Sequence, residues 1–248
     1  SPMFSELTDN KANWYELVEF GVDIPSSDLH LRGEKSMHGL NLWPQKLPDY
    51  KNAIKNYVFY LEKLGAAILK GVSLSLEMPE NFFKKQFTKD IEWGFRTVFY
   101  PKQRSTQSIQ NLRQHKNNEK ISEIEINSNY SCGEHTDYGF ITLLLADKEG
   151  LQVKSRSGQW FSAAPLEGAF ICLIGDMLQY WTNNLYVATK HRVLTQEERM
   201  SMAFFYQPSD DTIIQPFGIN NGSLNKVGTP IKYGEYSCAI RWLETLFY

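Results

Sequence analysis

A series of short apolar segments in the middle of the chain constrains the fold more than any other feature. Segments rich in β-branched and aromatic residues follow one another closely at 95–100, 141–146, 151–155, 159–163, 169–175, 186–194 and 201–208. The glycines that punctuate them are Gly150, Gly158, Gly168 and Gly175. Short strands at this spacing predict an antiparallel barrel or jelly roll, because βαβ units would need longer helical connections between the strands.

Apolar residues at helical spacing flank this β region. Between Tyr50 and Lys70 they recur every three or four residues, which predicts one long helix that ends at Gly71. A shorter helix is predicted at 78–87, where Pro79 fits the first turn. The same periodicity returns at the C-terminal end. The fold class is therefore mainly β with flanking helices, and we expect the long helix to pack on the outside of the barrel.

The length of 248 residues and the hydrophobic content of 42% suffice for one core, so we expect a single domain over 1–248. Its predicted parts are an irregular N-terminal segment at 1–49, a helical segment at 50–94, a jelly-roll core at 95–231 and a C-terminal helix at 232–248. The polar stretch 102–120 interrupts the core. Its composition predicts a surface loop.

The composition also excludes several classes of partner. Lys and Arg total 26 and Asp and Glu total 28, and this near balance gives no field that would hold nucleic acid or an anionic membrane. No apolar run approaches the ~20 residues that cross a bilayer, and we expect no signal sequence. The three cysteines are odd in number and widely spaced, which is typical of reduced thiols in a cytoplasmic protein.

A histidine and an aspartate precede the most apolar predicted strand. If His135 and Asp137 lie in a strand, their side chains share one face and can both bind one metal ion. Three other histidines fall in predicted loops or in the polar stretch, whereas His191 lies in a predicted strand and is the natural third ligand. Two imidazoles and one carboxylate leave three octahedral positions open, as in non-haem Fe(II) oxygenases.

Two other interpretations of this pattern stay open at this point. An isolated histidine-x-aspartate pair arises easily by chance in a chain with five histidines. A zinc site that uses Cys132 and His135 lacks a second pair of ligands at suitable spacing, and Cys132 alone is typical of a small, partly buried residue.

A second polar pair begins the last apolar strand. Arg199 and Ser201 are two residues apart, so a strand would direct both side chains to the inside of the barrel. A buried guanidinium needs a partner, and a carboxylate bound in bidentate fashion fits it best. The alternative is that Arg199 pairs with Glu197 or Glu198 at the tip of a hairpin.

Several segments, taken in order, resemble one known family. "GLNLWPQKLPDYK", "FRTVFYP", "HTDYGFITLLLAD", "GLQV", "GQW", "IGDMLQYWTNN", "KHRVL" and "RMSMAFFYQP" are similar to segments of the iron and 2-oxoglutarate-dependent dioxygenases, in the isopenicillin-N-synthase-like branch. The resemblance runs from about Gly39 to the C-terminal end. Members of this branch usually carry a longer segment before Trp43, so we expect part of the cover of the site or the first strand to be missing or replaced.

The resemblance implies a fold and a set of roles. It implies a double-stranded β-helix, which is a distorted jelly roll, with a metal site inside one end. His135, Asp137 and His191 match the iron ligands. Arg199 and Ser201 match the pair that binds the distal carboxylate of 2-oxoglutarate, and Tyr100 matches a tyrosine that helps to hold this co-substrate, although a strand-end tyrosine is also common in cores.

The function implied is oxidation of an unidentified small molecule by Fe(II), 2-oxoglutarate and dioxygen, through hydroxylation, desaturation or ring closure. One alternative within the family is an iron oxidase that does not use 2-oxoglutarate. Another is a binding module that kept the barrel without catalysis. Arg96 shares a predicted strand face with Val98 and Tyr100, so it either faces the cavity or forms a structural salt bridge. Phe204 and Phe205 either keep the cavity apolar or belong to the core.

Overall fold

The computed structural model describes residues 7–8, 11–13, 15–23, 40–87, 91–102, 131–195, 197–220 and 223–246. The helices of these ranges are α1 (Tyr50–Ser75), α2 (Phe82–Gln86), α3 (Asp176–Trp181) and α4 (Tyr233–Leu246). The strands are β1 (Leu7–Thr8), β2 (Lys11–Ala12), β3 (Glu16–Gly21), β4 (Glu92–Tyr100), β5 (Cys132–His135), β6 (Ile141–Ala146), β7 (Leu151–Lys154), β8 (Trp160–Ser162), β9 (Ile171–Ile174), β10 (His191–Val193), β11 (Arg199–Gln207), β12 (Ile213–Ile214), β13 (Phe217–Asn220), β14 (Ser223–Lys226) and β15 (Ile231–Lys232).

Two antiparallel sheets form the barrel. The major sheet has the strand order β3-β4-β11-β6-β9, and the minor sheet has the order β5-β10-β7-β8. Side chains from the major sheet (Val98, Tyr100 and Leu144) and from the minor sheet (Leu151 and Val193) join in one buried cluster. The two sheets therefore face each other across a shared interior, which confirms the predicted jelly roll.

The long helix α1 covers the outer face of the major sheet. Its buried stripe is made of Ile54, Val58, Leu61, Gly65, Leu69, Val72 and Ser73. The rings of Tyr57 and Phe95 pack edge to face with 5.8 Å between their centroids, and Phe95 belongs to β4. Gly65 lies directly against the ring of Tyr206 of β11, so that a Cβ atom at this position would overlap the ring. The predicted packing of the helix outside the barrel is confirmed.

The two glycines of α1 offer a matched test of this packing. We expect Gly65→Ala to lower the free energy of unfolding by ~1–3 kcal/mol, because the new methyl group displaces the ring of Tyr206. Gly71→Ala meets no atom within 4 Å and should raise it by ~0.5–1 kcal/mol through helix propensity. Urea denaturation of both variants measures the difference. Equal effects of the two substitutions would contradict this packing of helix against sheet.

The predicted limits of both helices, the long one and the one at 78–87, need correction. The long helix does not end at Gly71 but continues to Ser75, since Val72 and Ser73 are buried and the Ser73 hydroxyl donates to the Leu69 carbonyl at 3.0 Å. The chain turns only at Glu77, which has a positive φ of 58°. The helix predicted over 78–87 is confined to Phe82–Gln86. Packing outweighs the local helix-ending signals here.

Three predictions about the rest of the chain also differ from the structure. Residues 16–21, predicted to be irregular, form β3 and pair with β4 at six positions, and β4 itself begins at Glu92 inside the predicted helical segment. The strand predicted over 186–194 is only His191–Val193.

Of the loop 102–120, all but Lys102 lies outside the described residues. Among the described helices, none is both long enough and apolar enough to cross a membrane.

Candidate metal centre

Three predicted ligands converge inside one end of the barrel. His135 ends β5 and His191 begins β10, and the two residues are directly paired across these antiparallel strands. Asp137 lies in the connection between β5 and β6. The prediction that Asp137 shares a strand with His135 is therefore wrong. The strand ends at His135, and the turn that follows directs the carboxylate back to the imidazoles.

The geometry of these three side chains suits one small cation. Nε2 of His135 lies 3.8 Å from Oδ1 of Asp137, and Nε2 of His191 lies 3.7 Å from the same oxygen. One donor atom from each of the three residues lies within 4.8 Å of the other two. Metal–ligand bonds of about 2.0–2.2 Å place donor atoms of one ion roughly this far apart or closer. The three residues therefore fit a single metal ion.

Backbone carbonyls set the orientation of both imidazoles. Nδ1 of His135 lies 2.8 Å from the Gly133 carbonyl, and Nδ1 of His191 lies 2.9 Å from the Thr189 carbonyl. A carbonyl only accepts, so each Nδ1 donates its proton, and each Nε2 is the nitrogen left for a metal. Burial opposes protonation of His135, but the Cys132 side chain and the Asp137 carboxylate raise its pKa to about 10, so a metal binds at this Nε2 with release of a proton. Burial, then the positive charge of the neighbouring His135, lowers the pKa of His191 to about 4. His191 is therefore neutral at pH 7, as a metal ligand must be.

The carboxylate of Asp137 is held from behind. Its Oδ2 accepts a hydrogen bond from the Thr142 hydroxyl at 2.5 Å, which leaves Oδ1 directed at the imidazoles. The backbone N–H of Asp176 donates to the Asp137 carbonyl at 2.7 Å. Gly175 packs so closely on the backbone of Gly139 that a Cβ atom would overlap it. The start of α3 therefore holds the turn that carries Asp137.

Removal of the Thr142 hydroxyl should weaken metal binding without removing a ligand. We expect Thr142→Val to lower the affinity for Mn(II) by about 10- to 100-fold, since partners that orient a ligand typically contribute this much. Titration followed by electron paramagnetic resonance measures the change. Thr97→Val is the matched control, because its hydroxyl donates to the Val18 carbonyl at 3.4 Å and not to a metal ligand. Unchanged affinity in Thr142→Val would contradict this role.

The zinc interpretation does not fit this arrangement. Sγ of Cys132 lies 3.9 Å from Nδ1 of His135, which is the nitrogen directed away from Asp137 and His191. The group that converges on a common point contains His135, Asp137 and His191 but not Cys132. Within the described part of the chain, the thiol therefore stands beside the metal centre rather than in it.

Arg199 is a buried cation whose outer nitrogens have no hydrogen-bond partner among the residues described above. Its side chain is 1% exposed, and Nε donates to the Lys148 carbonyl at 3.1 Å. Nη1 and Nη2 are buried and make no hydrogen bond among the described residues. The alternative pairing with Glu197 or Glu198 is not observed. Leaving two charged donors buried is unfavourable, so this guanidinium fits an anionic ligand that binds with both carboxylate oxygens.

Two hydroxyl groups lie beside this guanidinium. The ring of Tyr100 lies 5.1 Å from the centre of the Arg199 guanidinium, and Tyr100 is hydrogen-bonded to Ser201. Burial raises the pKa of Tyr100, so its hydroxyl stays protonated and remains a donor. Ser201 is 5% exposed, whereas Met200 between the two inward residues is 50% exposed. Arg199 and Ser201 therefore face the interior, next to the cluster that joins the two sheets.

Comparison with known proteins identifies the class. The family model of the 2OG-Fe(II) oxygenase superfamily matches residues 99–208, and the chain belongs to this superfamily. It is 36% identical to homoarginine-6-hydroxylase from Glycine max over 93% of this chain and 67% of that protein. It is 34% identical to homoarginine-6-hydroxylase from Oryza sativa subsp. japonica over 85% of this chain and 60% of that protein.

A solved structure has the same fold. The full-length Neurospora crassa protein crystallised with alpha-KG and thymine superimposes with a TM-score of 0.74 and 24% identity, over 99% of this chain and 73% of that one. The chain thus spans about 60 to 67% of the length of the two curated relatives. The cofactors typical of the superfamily, Fe(II) and 2-oxoglutarate, fit the ligand set and the guanidinium pocket described above.

Sequence reasoning missed the groups that hold the ligands in place. Thr142 is the only polar residue of the segment "ITLLLA", and this isolated hydroxyl in an apolar strand was the signal that could have identified it. The approach of Gly175 to Gly139 has no comparable signal, since a close backbone contact becomes visible only when the fold is known.

Proposed function

We propose that this chain is a non-haem Fe(II)- and 2-oxoglutarate-dependent oxygenase that oxidises a small organic molecule. The observation that carries the proposal is the buried guanidinium of Arg199, whose two outer nitrogens make no hydrogen bond within the described part of the chain. Its strand, β11, is paired with β6, and Thr142 of β6 donates a hydrogen bond to Asp137, one of the three converging ligands. An abandoned active site would have little reason to retain both a complete ligand set and an unpaired buried cation.

Each residue has a distinct proposed role. Nε2 of His135, Nε2 of His191 and Oδ1 of Asp137 would bind Fe(II). Arg199, with the Ser201 hydroxyl, would bind the distal carboxylate of 2-oxoglutarate. Tyr100 would donate its hydroxyl proton to the same co-substrate or position Ser201.

The overall reaction balances without a further reductant. Bound Fe(II) supplies the redox chemistry by which one dioxygen molecule oxidises both 2-oxoglutarate and the substrate. For hydroxylation, one oxygen atom enters succinate, carbon dioxide leaves, and the other oxygen atom enters the product. The protein contributes ligand orientation through Thr142 and the carbonyls of Gly133 and Thr189, together with an interior from which the buried cluster excludes water.

For the substrate we propose a basic amino acid. Both curated relatives described above carry the name homoarginine-6-hydroxylase, and the alignment with the first covers nearly the whole of this chain. L-Homoarginine is therefore the first compound to test.

A cytoplasmic location is also part of the proposal, and it is supported by the absence of disulfides at Cys132, Cys172 and Cys238.

The direct test is the release of succinate from 2-oxoglutarate by the Fe(II)-loaded protein in air. We expect L-homoarginine to stimulate release, and mass spectrometry should find a product heavier by one oxygen atom. Consumption of oxygen without turnover of 2-oxoglutarate would instead support the iron oxidase that does not use this co-substrate. Absence of binding of both Mn(II) and 2-oxoglutarate would support the non-catalytic module.

A further inference from the structure

An ion pair lies on the inner face of the major sheet, away from the residues assigned above. Arg96 of β4 and Glu19 of β3 are directly opposite each other in the strand pairing. Nη2 and Nε of Arg96 donate to Oε2 of Glu19 at 2.7 Å and 3.1 Å. The side chains are only 28% and 35% exposed, so the pair is partly withdrawn from solvent.

Side chains along β4 alternate between the two faces of the sheet, and this alternation shows that the ion pair faces the interior. Val98 and Tyr100, which follow Arg96 at two-residue steps, are buried with Leu151 and Val193 of the minor sheet. Phe95, on the opposite face, packs against α1. Side chains two residues apart share one face of a strand, so Arg96 points to the side of the sheet where the metal centre lies.

Phe205 connects this pair to the metal centre. It is paired with Thr142 of β6, the residue that holds Asp137. The centre of the Arg96 guanidinium lies 5.5 Å from the ring of Phe205. In the sheet order, β4 is two strands from β6, which corresponds to ~10 Å between Arg96 and the strand of Thr142. This span suits an extended side chain of a small substrate.

The ion pair is separate from the pocket of Arg199. Arg96 precedes Tyr100 by four positions on β4, and Tyr100 is directly paired with Arg199. Four residues of a strand span ~13 Å between Cα atoms, so the two arginines project from well-separated positions along the sheet. The interior thus offers two cationic groups at different depths, with Arg96 nearer the residues that hold Asp137 along the sheet.

We infer that Arg96, Glu19 and Phe205 form the substrate subsite, in which Arg96 binds the α-carboxylate and Glu19 the α-ammonium group of an amino acid. This inference rests on the proposed function and deepens it. A guanidinium matches a carboxylate in bidentate geometry, and a carboxylate accepts hydrogen bonds from an ammonium group. The ion pair of Arg96 and Glu19 is neutral overall, and so are the α-carboxylate and α-ammonium groups taken together. Binding of these two groups therefore adds no net charge to the partly buried subsite. Phe205 packs along the aliphatic part of the substrate.

The test measures binding without turnover. Calorimetric titration of the protein loaded with Mn(II) and 2-oxoglutarate under anaerobic conditions should give tight binding of L-homoarginine. Its carboxamide and its Nα-acetyl derivative should each bind at least ~10-fold more weakly, because each lacks one charge. Arg96→Gln should weaken binding of L-homoarginine ~10- to 100-fold. This variant should no longer prefer L-homoarginine to its carboxamide, but it should still prefer L-homoarginine to the Nα-acetyl derivative. Glu19→Gln should no longer prefer L-homoarginine to its Nα-acetyl derivative, but it should still prefer L-homoarginine to the carboxamide.

Controls separate this inference from the proposed function. Asp211→Asn, which removes a distant exposed ion pair with Lys232 at 3.0 Å, should leave all affinities unchanged. Arg96→Lys keeps a cation and should bind the parent amino acid more tightly than Arg96→Gln, even if the glutamine variant is poorly folded. If Arg96→Gln keeps full preference for the carboxylate, the subsite is overturned. If the wild type binds Mn(II) and 2-oxoglutarate but no amino acid, the subsite is overturned while the cofactor chemistry stands. If it binds neither cofactor, the proposed function itself fails.

Discussion

Arg199→Met should raise the dissociation constant for 2-oxoglutarate by about 30-fold to more than 1,000-fold while leaving Mn(II) affinity nearly unchanged. The substitution removes both outer nitrogens, which have no partner in the ranges that the structure describes, from a residue that is 1% exposed. Loss of one partner of a buried charged pair typically costs about 2–5 kcal/mol, which corresponds to this range of affinities. Equilibrium dialysis of the Mn(II)-loaded protein with labelled 2-oxoglutarate provides the measurement.

Arg192→Met is the matched control for this prediction. The Arg192 guanidinium lies over the ring of Trp160 at 3.9 Å, and its Nε donates to Gln152 at 2.9 Å. It is therefore already engaged by the protein, and its loss should not change 2-oxoglutarate affinity. Equal weakening by the two substitutions would show that general charge, rather than the pocket of Arg199, attracts the co-substrate.

His191→Ala should lower Mn(II) affinity by more than ~100-fold. Loss of a supporting group alone typically weakens metal binding 10- to 100-fold, and loss of a ligand from a set of three should exceed that. The metal titration described for Thr142→Val gives the affinity. Lys190→Ala, which changes the exposed neighbouring residue that pairs with Glu134, should bind Mn(II) like the wild type. An unchanged affinity in His191→Ala would remove this residue from the ligand set.

The β core was predictable from the sequence because its strands carry their own periodicity. The segment 141–146 forms β6 with the predicted limits, and 201–208 falls almost wholly in β11. β3 was missed because its burial does not alternate: Leu17 and Phe20 are buried, although they are three residues apart. Only its pairing with β4 makes this segment a strand, and pairing between distant segments leaves little local trace in a sequence.

The three residues that converge were predictable from the sequence, but the geometry that brings them together was not. The histidines at 135 and 191 were assigned through strand positions, and the structure brings them together as a direct cross-strand pair. Asp137 reaches the same point from a turn, which a two-residue spacing cannot distinguish from a strand. The two sequence alternatives for Arg96 were a cavity-facing side chain and a salt bridge, and the structure shows the salt bridge with Glu19. Glu19 went unnoticed because its segment was predicted to be irregular.

We propose that His135, Asp137 and His191 hold one Fe(II) ion with free positions at which 2-oxoglutarate binds. Anaerobic addition of Fe(II) and then 2-oxoglutarate, followed by visible absorption spectroscopy, tests it most directly. The wild type should develop a weak metal-to-ligand charge-transfer band that depends on 2-oxoglutarate, and Asp137→Ala should not. A wild type that binds Fe(II) and 2-oxoglutarate but shows no band, or an Asp137→Ala protein with a band of equal strength, would contradict the claim.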